Sequence, residues 1–122
     1  MRIIINGIPP SYNKFIGNSH NFNEYRKYKE YWHWLIKEAL SCAEYPKTPY
    51  RKASVTITYF FSDKKRRDPD NYSGKLLLDP LVRENIILDD SFDNISLTMK
   101  KGGIDKKNPR TEIDIFMIEE AV

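Results

Sequence analysis

The residues of this chain best suited to chemistry are acids, cations and an asparagine gathered in one short stretch. They are Arg66-Arg67-Asp68-Pro69-Asp70-Asn71, then Lys75 and Asp79, then Asp89-Asp90. Carboxylates held together repel one another unless a hard divalent cation lies between them, and Mg²⁺ and Mn²⁺ prefer ligand sets made of oxygen. The flanking cations predict that the metal meets an anion, and a phosphodiester backbone is the commonest polymeric one. The residues therefore predict a metal-dependent nuclease.

A structural explanation competes for the first two acids. Aspartate before proline often starts a helix. Asp68 could therefore be no more than a helix cap, and Asp70 no more than a first-turn acid that suits the helix dipole. That explanation does not account for Lys75 and Asp79, which would share one side of the helix at i and i+4. It also leaves the Asp89-Asp90 pair without a role.

The positive charge is concentrated, although the net charge of +3 is only mildly basic. Two runs carry much of it: Lys64, Lys65, Arg66 and Arg67, and then Lys100, Lys101, Lys106, Lys107 and Arg110. Each run taken alone could be a solvated loop. Because the first run directly precedes Asp68 and Asp70, we expect both runs, together with Asn71, to contact a nucleic-acid backbone.

Length and composition predict a single folded domain that spans residues 1–122. Hydrophobic residues make up 40% and charged residues 30% of the chain, which is far from the composition of a disordered protein. The one cysteine, Cys42, cannot form an internal disulfide, and no secretion signal or long apolar segment is present. We therefore expect a soluble cytoplasmic protein that does not interact with membranes.

The hydrophobic periodicity predicts an α+β fold. Strands are expected at 2–8, 53–61, 94–100 and 111–118, and helices at 23–42 and 68–84, in the order β-α-β-α-β-β. Gly102-Gly103 and Asn108-Pro109 predict a hairpin loop between the last two strands, and hence a mainly antiparallel sheet of about four strands. On the first helix Tyr31 and Trp34 lie off the apolar stripe and are expected at the surface.

The same residues resemble the signature of the RusA-type Holliday junction resolvases. The resemblance is carried by Arg67-Asp68-Pro69-Asp70-Asn71, Lys75, Asp79, Leu81 and Asp89-Asp90-Ser91, with Pro9-Pro10-Ser11 and Asn13 near the start and Gly102-Gly103 near the end. It covers nearly the whole chain. The stretch between Asn71 and Lys75 is one residue longer than in the family pattern.

The resemblance implies a homodimeric endonuclease that binds branched DNA, specifically four-way junctions, and cuts them by paired symmetric nicks during DNA recombination and repair. It implies a need for Mg²⁺, with Mn²⁺ as a substitute, and no small-molecule cofactor. The family's catalytic, metal-binding acids fall on Asp68, Asp70 and Asp90, and its active-site lysine falls on Lys75. Asp89 and Asp79 are possible additional acids. The resemblance is to a family of bacteria and of their phages and prophages.

Two other readings of the residues stay open, and so do two details. The chain could be a nucleic-acid binding module without catalysis, or a metal-dependent nuclease for another branched or single-stranded DNA. The residues do not choose between one metal ion and two. An edge strand or the aromatic-rich first helix could form the subunit contact.

Overall fold

The computed structural model describes residues 1–11, 21–72 and 74–120, with the backbone alone at 21, 22, 70 and 120. Asn13 and the side chain of Asp70 therefore lie outside the described part of the chain. The elements are β1 (Arg2–Asn6), α1 (Asn21–Leu40), β2 (Tyr50–Phe60), α2 (Lys75–Arg83), β3 (Ile95–Lys101) and β4 (Arg110–Glu120). This confirms the predicted α+β class and the β-α-β-α-β-β order. Among the described helices, none is long and apolar enough to cross a membrane.

The four strands form one mixed sheet in the order β1-β4-β2-β3. Strand β4 pairs antiparallel with both β1 and β2, whereas β3 pairs parallel with β2. The predicted hairpin between β3 and β4 is therefore wrong, because β2 lies between them. The physical reason is that α2 provides the long crossover that a parallel β2–β3 pair requires, which leaves β4 to enter on the other side of β2.

Alternation along the strands gives the sheet one buried face and one open face. Val55 and Ile57 on β2 and Ile113 and Ile115 on β4 are buried, as their spacing predicted, and they pack with both helices in a single core. The side chains between them, among them Thr56 and Asp114, point to the opposite face. Both helices therefore cover the same face of the sheet.

The apolar stripe of α1 packs on this core. Trp32, Ile36 and Leu40 are buried, whereas Tyr31 and Trp34 are exposed and stack on each other with ring centroids 6.5 Å apart. Their predicted surface position is confirmed.

The chain between β2 and α2 differs from the predicted single helix over 68–84. Residues Pro69–Asn71 form one 3-10 turn, and α2 begins only at Lys75. Gly74, which precedes α2, has φ +78°, where glycine is favoured, and a Cβ there would lie 3.0 Å from Ile57 Cδ1. The helix is interrupted because the chain turns through this left-handed position to bring α2 onto the sheet.

Candidate active site and nucleic-acid interface

The segment 62–72 that follows β2 is held against the end of the sheet by aromatic packing. The ring of Tyr72 lies 5.5 Å from that of Tyr59 and 5.7 Å from that of Phe61. The guanidinium of Arg67 lies over the Phe61 ring at 4.2 Å, a cation–π contact. These contacts hold both ends of the segment 62–72, so the position of Asp68 within it depends on packing against the sheet.

Arg67 also organises the backbone of its own loop. It donates hydrogen bonds to the carbonyl oxygens of Asp63 and Lys65 and pairs with the Asp63 carboxylate at 2.8 Å. The pKa of Asp63 is lowered, chiefly by the hydrogen bond that its carboxylate accepts from the Lys65 backbone N–H and next by the hydrogen bond from Arg67. Lys64, Lys65 and Arg66 are exposed. The loop therefore directs three cations to solvent, as contact with an extended polyanion requires.

Asp68 is an exposed carboxylate in the middle of these cations. Its backbone is extended and its side chain makes no capping hydrogen bond, so it does not act as a side-chain helix cap. The carboxylate instead accepts a hydrogen bond from Arg66 Nε at 3.2 Å. It lines a groove shared with Ser11, Lys65 and Asn71. A carboxylate placed in this way is accessible to a metal and to an anionic substrate.

Lys75 and Asp79 form an ion pair at the start of α2. Their Nζ and Oδ1 atoms lie 3.5 Å apart, and Asp79 Oδ2 lies 3.7 Å from Lys29 Nζ on α1. Asp79 is thus placed between two ammonium groups, which is the position of a charge partner for Lys75. Lys75 lines a pocket together with Asn71 and Tyr72, so it borders the Asp68 loop.

Asp89 and Asp90 lie at the other end of the sheet. The N–H of Leu88 donates to the carbonyl of Tyr50, and the Asn94 side chain donates to that of Arg51, so residues 88–94 flank the start of β2. Asp68 instead shares a pocket with Tyr59 and Lys101, at the ends of β2 and β3.

The separation between the two sites can be estimated from the sheet register. Ala53 pairs with Ile95 and Tyr59 with Lys101, and six strand steps of about 3.3 Å put the two ends on the order of 20 Å apart. The structure therefore does not bring Asp90 to Asp68 within one chain. Among the described side chains, which exclude that of Asp70, no group of three or more ligating residues could hold a metal ion.

The second basic run is divided between the end of β3, the connection 102–109 and the start of β4. Lys100 and Lys101 border the Asp68 pocket, and Lys106 and Lys107 are exposed on the connection 102–109. Arg110 lies over the Phe60 ring at 4.0 Å and is paired with Glu112 at 2.7 Å and Asp105 at 2.9 Å. The hydrogen bond to Glu112, more than that to Asp105, raises the pKa of Arg110. Arg110 therefore already has partners within the protein.

One feature of this region was not predicted from sequence. Tyr59, Phe61 and Tyr72 form an aromatic pocket, with Asp68, Met99 and Lys101 also in its wall. Burial raises the pKa of Tyr59, so its hydroxyl stays protonated at neutral pH. The indication in the sequence was the pair of aromatic segments on either side of the basic run, but only the fold shows that they meet.

A carboxylate among cations, at the end of a small α+β sheet, is an arrangement suited to a protein that acts on nucleic acid. The family model described as Endodeoxyribonuclease RusA matches residues 9–116, and the chain belongs to that family. It is therefore a nuclease-family domain, as the resemblance predicted. A comparison with curated proteins finds no match.

Proposed function

We propose that this protein is a Mg²⁺-dependent endonuclease that resolves four-way DNA junctions by paired symmetric nicks, in DNA recombination and repair in the cytoplasm. Membership of the RusA endodeoxyribonuclease family supports the reaction class. The observation that carries the proposal is the exposed Asp68 carboxylate among Arg66, Arg67 and Lys101, because this combination suits a cation-binding acid that meets phosphates.

Asp68, Asp70 and Asp90 are the proposed metal ligands. Three carboxylates form the hard oxygen donor set that Mg²⁺ and Mn²⁺ prefer, so the donor chemistry fits the ion. When bound, such an ion activates water and stabilises charge on the phosphoryl oxygens. The protein's side chains carry out the remaining steps. Lys75 neutralises charge beside the reacting phosphate, and the two basic runs bind the sugar-phosphate backbone of the DNA.

The positions of Asp68 and Asp90 near opposite ends of β3 support a site completed by two subunits. Strand β3 is an edge of the sheet, and its outer side has no neighbouring strand among the described residues. If β3 pairs antiparallel with β3 of a second copy, the two-fold axis brings the start of each β3 beside the end of the other. Asp90 of the partner subunit then approaches Asp68 and Asp70 of the first.

The packing of both helices on one face of the sheet is consistent with this dimer. A two-fold axis perpendicular to the sheet leaves the helices of both copies on the same side. The segments 62–72 and 88–94 both join α2 to the sheet, so both lie near that side and can meet across the axis. The dimer contains two equivalent sites, which is what two symmetric nicks require.

The exposed cations Lys64, Lys65, Arg66, Lys100, Lys101, Lys106 and Lys107 are proposed DNA contacts, with Asn71 beside them. Arg67, which is partly buried and paired with Asp63, is proposed as a further contact next to Asp68. We assign Arg110 a supporting task, because its guanidinium holds the connection 102–109 through Asp105 and Phe60. We propose that Asp79 positions Lys75 through their ion pair. We propose that Asp89 stabilises its own loop, where its carboxylate accepts a hydrogen bond from the Asp90 backbone N–H at 2.9 Å.

A substrate panel tests the proposal. The protein is incubated with a synthetic four-way junction, a flap, a duplex and a single strand, each with Mg²⁺, with Mn²⁺ and with a chelator. We expect paired nicks in the junction alone and only with a divalent ion. Cleavage of the flap or single strand at an equal rate would favour the other-nuclease alternative, and binding without metal-dependent cleavage would favour the binding module.

A further inference from the structure

Phe92 is a large apolar side chain that is fully exposed to solvent in the described part of the structure. Its relative exposure is 105%, although phenylalanine is among the residues most often buried. It lies in the segment 88–94 together with Asp89, Asp90 and Asp93. An aromatic ring held out to solvent beside a proposed metal ligand suggests that a second molecule covers it.

The aromatic pocket has the complementary properties. Its wall contains the rings of Tyr59, Phe61 and Tyr72 and the side chain of Met99, and it encloses about 60 Å³. The ring centroids of the three aromatics lie 5.5 to 5.9 Å apart, the range in which aromatic rings attract one another. A further ring at the mouth of this pocket would extend an existing aromatic cluster.

The charges around the two features are also complementary. Arg67, Lys100 and Lys101 border the pocket, whereas Phe92 is accompanied by three aspartates. Opposite charges around an apolar contact favour a single docking orientation. The two features belong to opposite ends of β3, so Phe92 cannot reach the pocket of its own chain, as the distance on the order of 20 Å between those ends shows.

We propose that Phe92 of a second copy of this chain inserts into the pocket formed by Tyr59, Phe61 and Tyr72. This inference rests on the proposed homodimer and names the contact that fixes it. Insertion covers Phe92, places the acidic segment 88–94 against the basic rim, and sets the depth at which Asp90 of the partner subunit meets Asp68. Phe92 is therefore a positioning residue for the proposed site.

The first test compares Phe92→Ala with Phe116→Ala. Phe116 is also exposed, at 64%, but it lies on the open face of the sheet, so it is a matched control. Each dimer loses two buried phenylalanines in the first variant, and each loss weakens association by about tenfold or more. We expect sedimentation to show dimerisation at least about 100-fold weaker for Phe92→Ala and unchanged for Phe116→Ala. Equal dimerisation of the two variants would overturn the inference.

The second test detects the contact directly and does not depend on stability. Cys42 is first replaced by serine, because it is a free, exposed thiol. Copies with Phe92→Cys are mixed with copies carrying Met99→Cys, and a short bismaleimide is added. We expect a cross-linked dimer from the mixture, and none from Phe116→Cys mixed with Met99→Cys. Absence of a cross-link in the first mixture would overturn the inference.

The outcomes separate this inference from the proposed function. If Phe92→Ala dimerises and nicks a four-way junction as the unmodified protein does, only the Phe92 contact is wrong. If the unmodified protein does not nick four-way junctions, the proposed function itself is wrong. If it nicks them while remaining monomeric at about 10–100 μM, the proposed dimer and the Phe92 contact are both wrong. If Tyr72→Ala weakens junction binding about tenfold while dimerisation is unchanged, the pocket takes an unpaired nucleobase instead, which also overturns the inference.

Discussion

The Asp79 carboxylate and the Lys75 ammonium form an i, i+4 ion pair on α2, 3.5 Å apart. The side chain of Asp79 is 19% exposed and that of Lys75 is 50% exposed, so the more exposed cation is held by the more buried acid. Asp79 also reaches Lys29, and it therefore lies among cations rather than among the other acids. We therefore propose that Asp79 acts through Lys75 and is not itself a metal ligand.

Asp79→Asn should lower the rate of nicking by about tenfold, because Lys75 is no longer held at the site. The concentration of Mg²⁺ that gives half the maximal rate should not change, whereas it would rise if Asp79 were a ligand. Unfolding stability should fall by less than about 1 kcal/mol, since the pair is partly solvated. Lys29→Gln is the control, because it leaves the Asp79–Lys75 pair intact, and a rate as low in this variant as in Asp79→Asn would contradict the assignment.

Mixing two inactive variants should restore activity if the site is shared between subunits. Asp68→Asn and Asp90→Asn each inactivate both sites of their own homodimers. In a mixed dimer one site has both substitutions and the other has neither, so single nicks should appear, without paired resolution of the junction. A gel that separates nicked from resolved junctions measures this, and a mixture that stays inactive after subunit exchange is confirmed would argue for a site within one chain.

Asp70→Asn should abolish nicking and leave junction binding intact. The substitution keeps the shape of the side chain and removes the charge that a metal requires, whereas DNA is held mainly by the basic runs. Gel-shift affinity in a chelator and cleavage in Mg²⁺ measure the two properties separately. Glu44→Gln, an exposed acid far along the chain from the motif, is the charge control. Normal turnover by Asp70→Asn would remove this residue from the site.

The basic loop should determine how binding depends on salt. Removing one phosphate contact lowers the slope of log affinity against log salt by about 0.9. We expect this change for Lys65→Ala and none for Lys47→Ala, which removes the same charge from an exposed position before β2. Affinities measured on a four-way junction between about 50 and 200 mM salt give the slope. Identical slopes for the two variants would mean that the loop does not touch DNA.

Gly102→Ala should destabilise the protein, whereas Gly103→Ala should not. A Cβ at Gly102 would lie 2.5 Å from Phe60 Cε1, and the same ring carries the guanidinium of Arg110. Forcing the ring to move should cost about 1–3 kcal/mol of unfolding free energy, measured by urea denaturation. Nothing lies within 4 Å of a Cβ at Gly103. Gly102→Ala combined with Phe60→Leu should recover part of the loss, and equal stability of the two alanine variants would show that the contact is not rigid.

The sequence by itself predicted the order of the elements, although not the start of α2, and the family to which the chain belongs. The period-two pattern of Val55, Ile57 and Tyr59 predicted a strand with one buried face, because that pattern depends only on the alternation of side chains. The acids and cations of the motif likewise predicted a nuclease, which the family match bears out. These inferences are local, and local physics was sufficient for them.

The tertiary structure decided which residues are neighbours. The sequence predicted a hairpin between β3 and β4 because nothing in the connection 102–109 shows that β2 separates them, since strand order depends on how α2 packs on the sheet. The same crossover places Asp90 at the opposite end of β3 from Asp68. Residues that lie 22 positions apart in the sequence are therefore separated within one chain. The outer side of β3, which has no neighbouring strand in the described part of the chain, indicates how a second chain could bring them together.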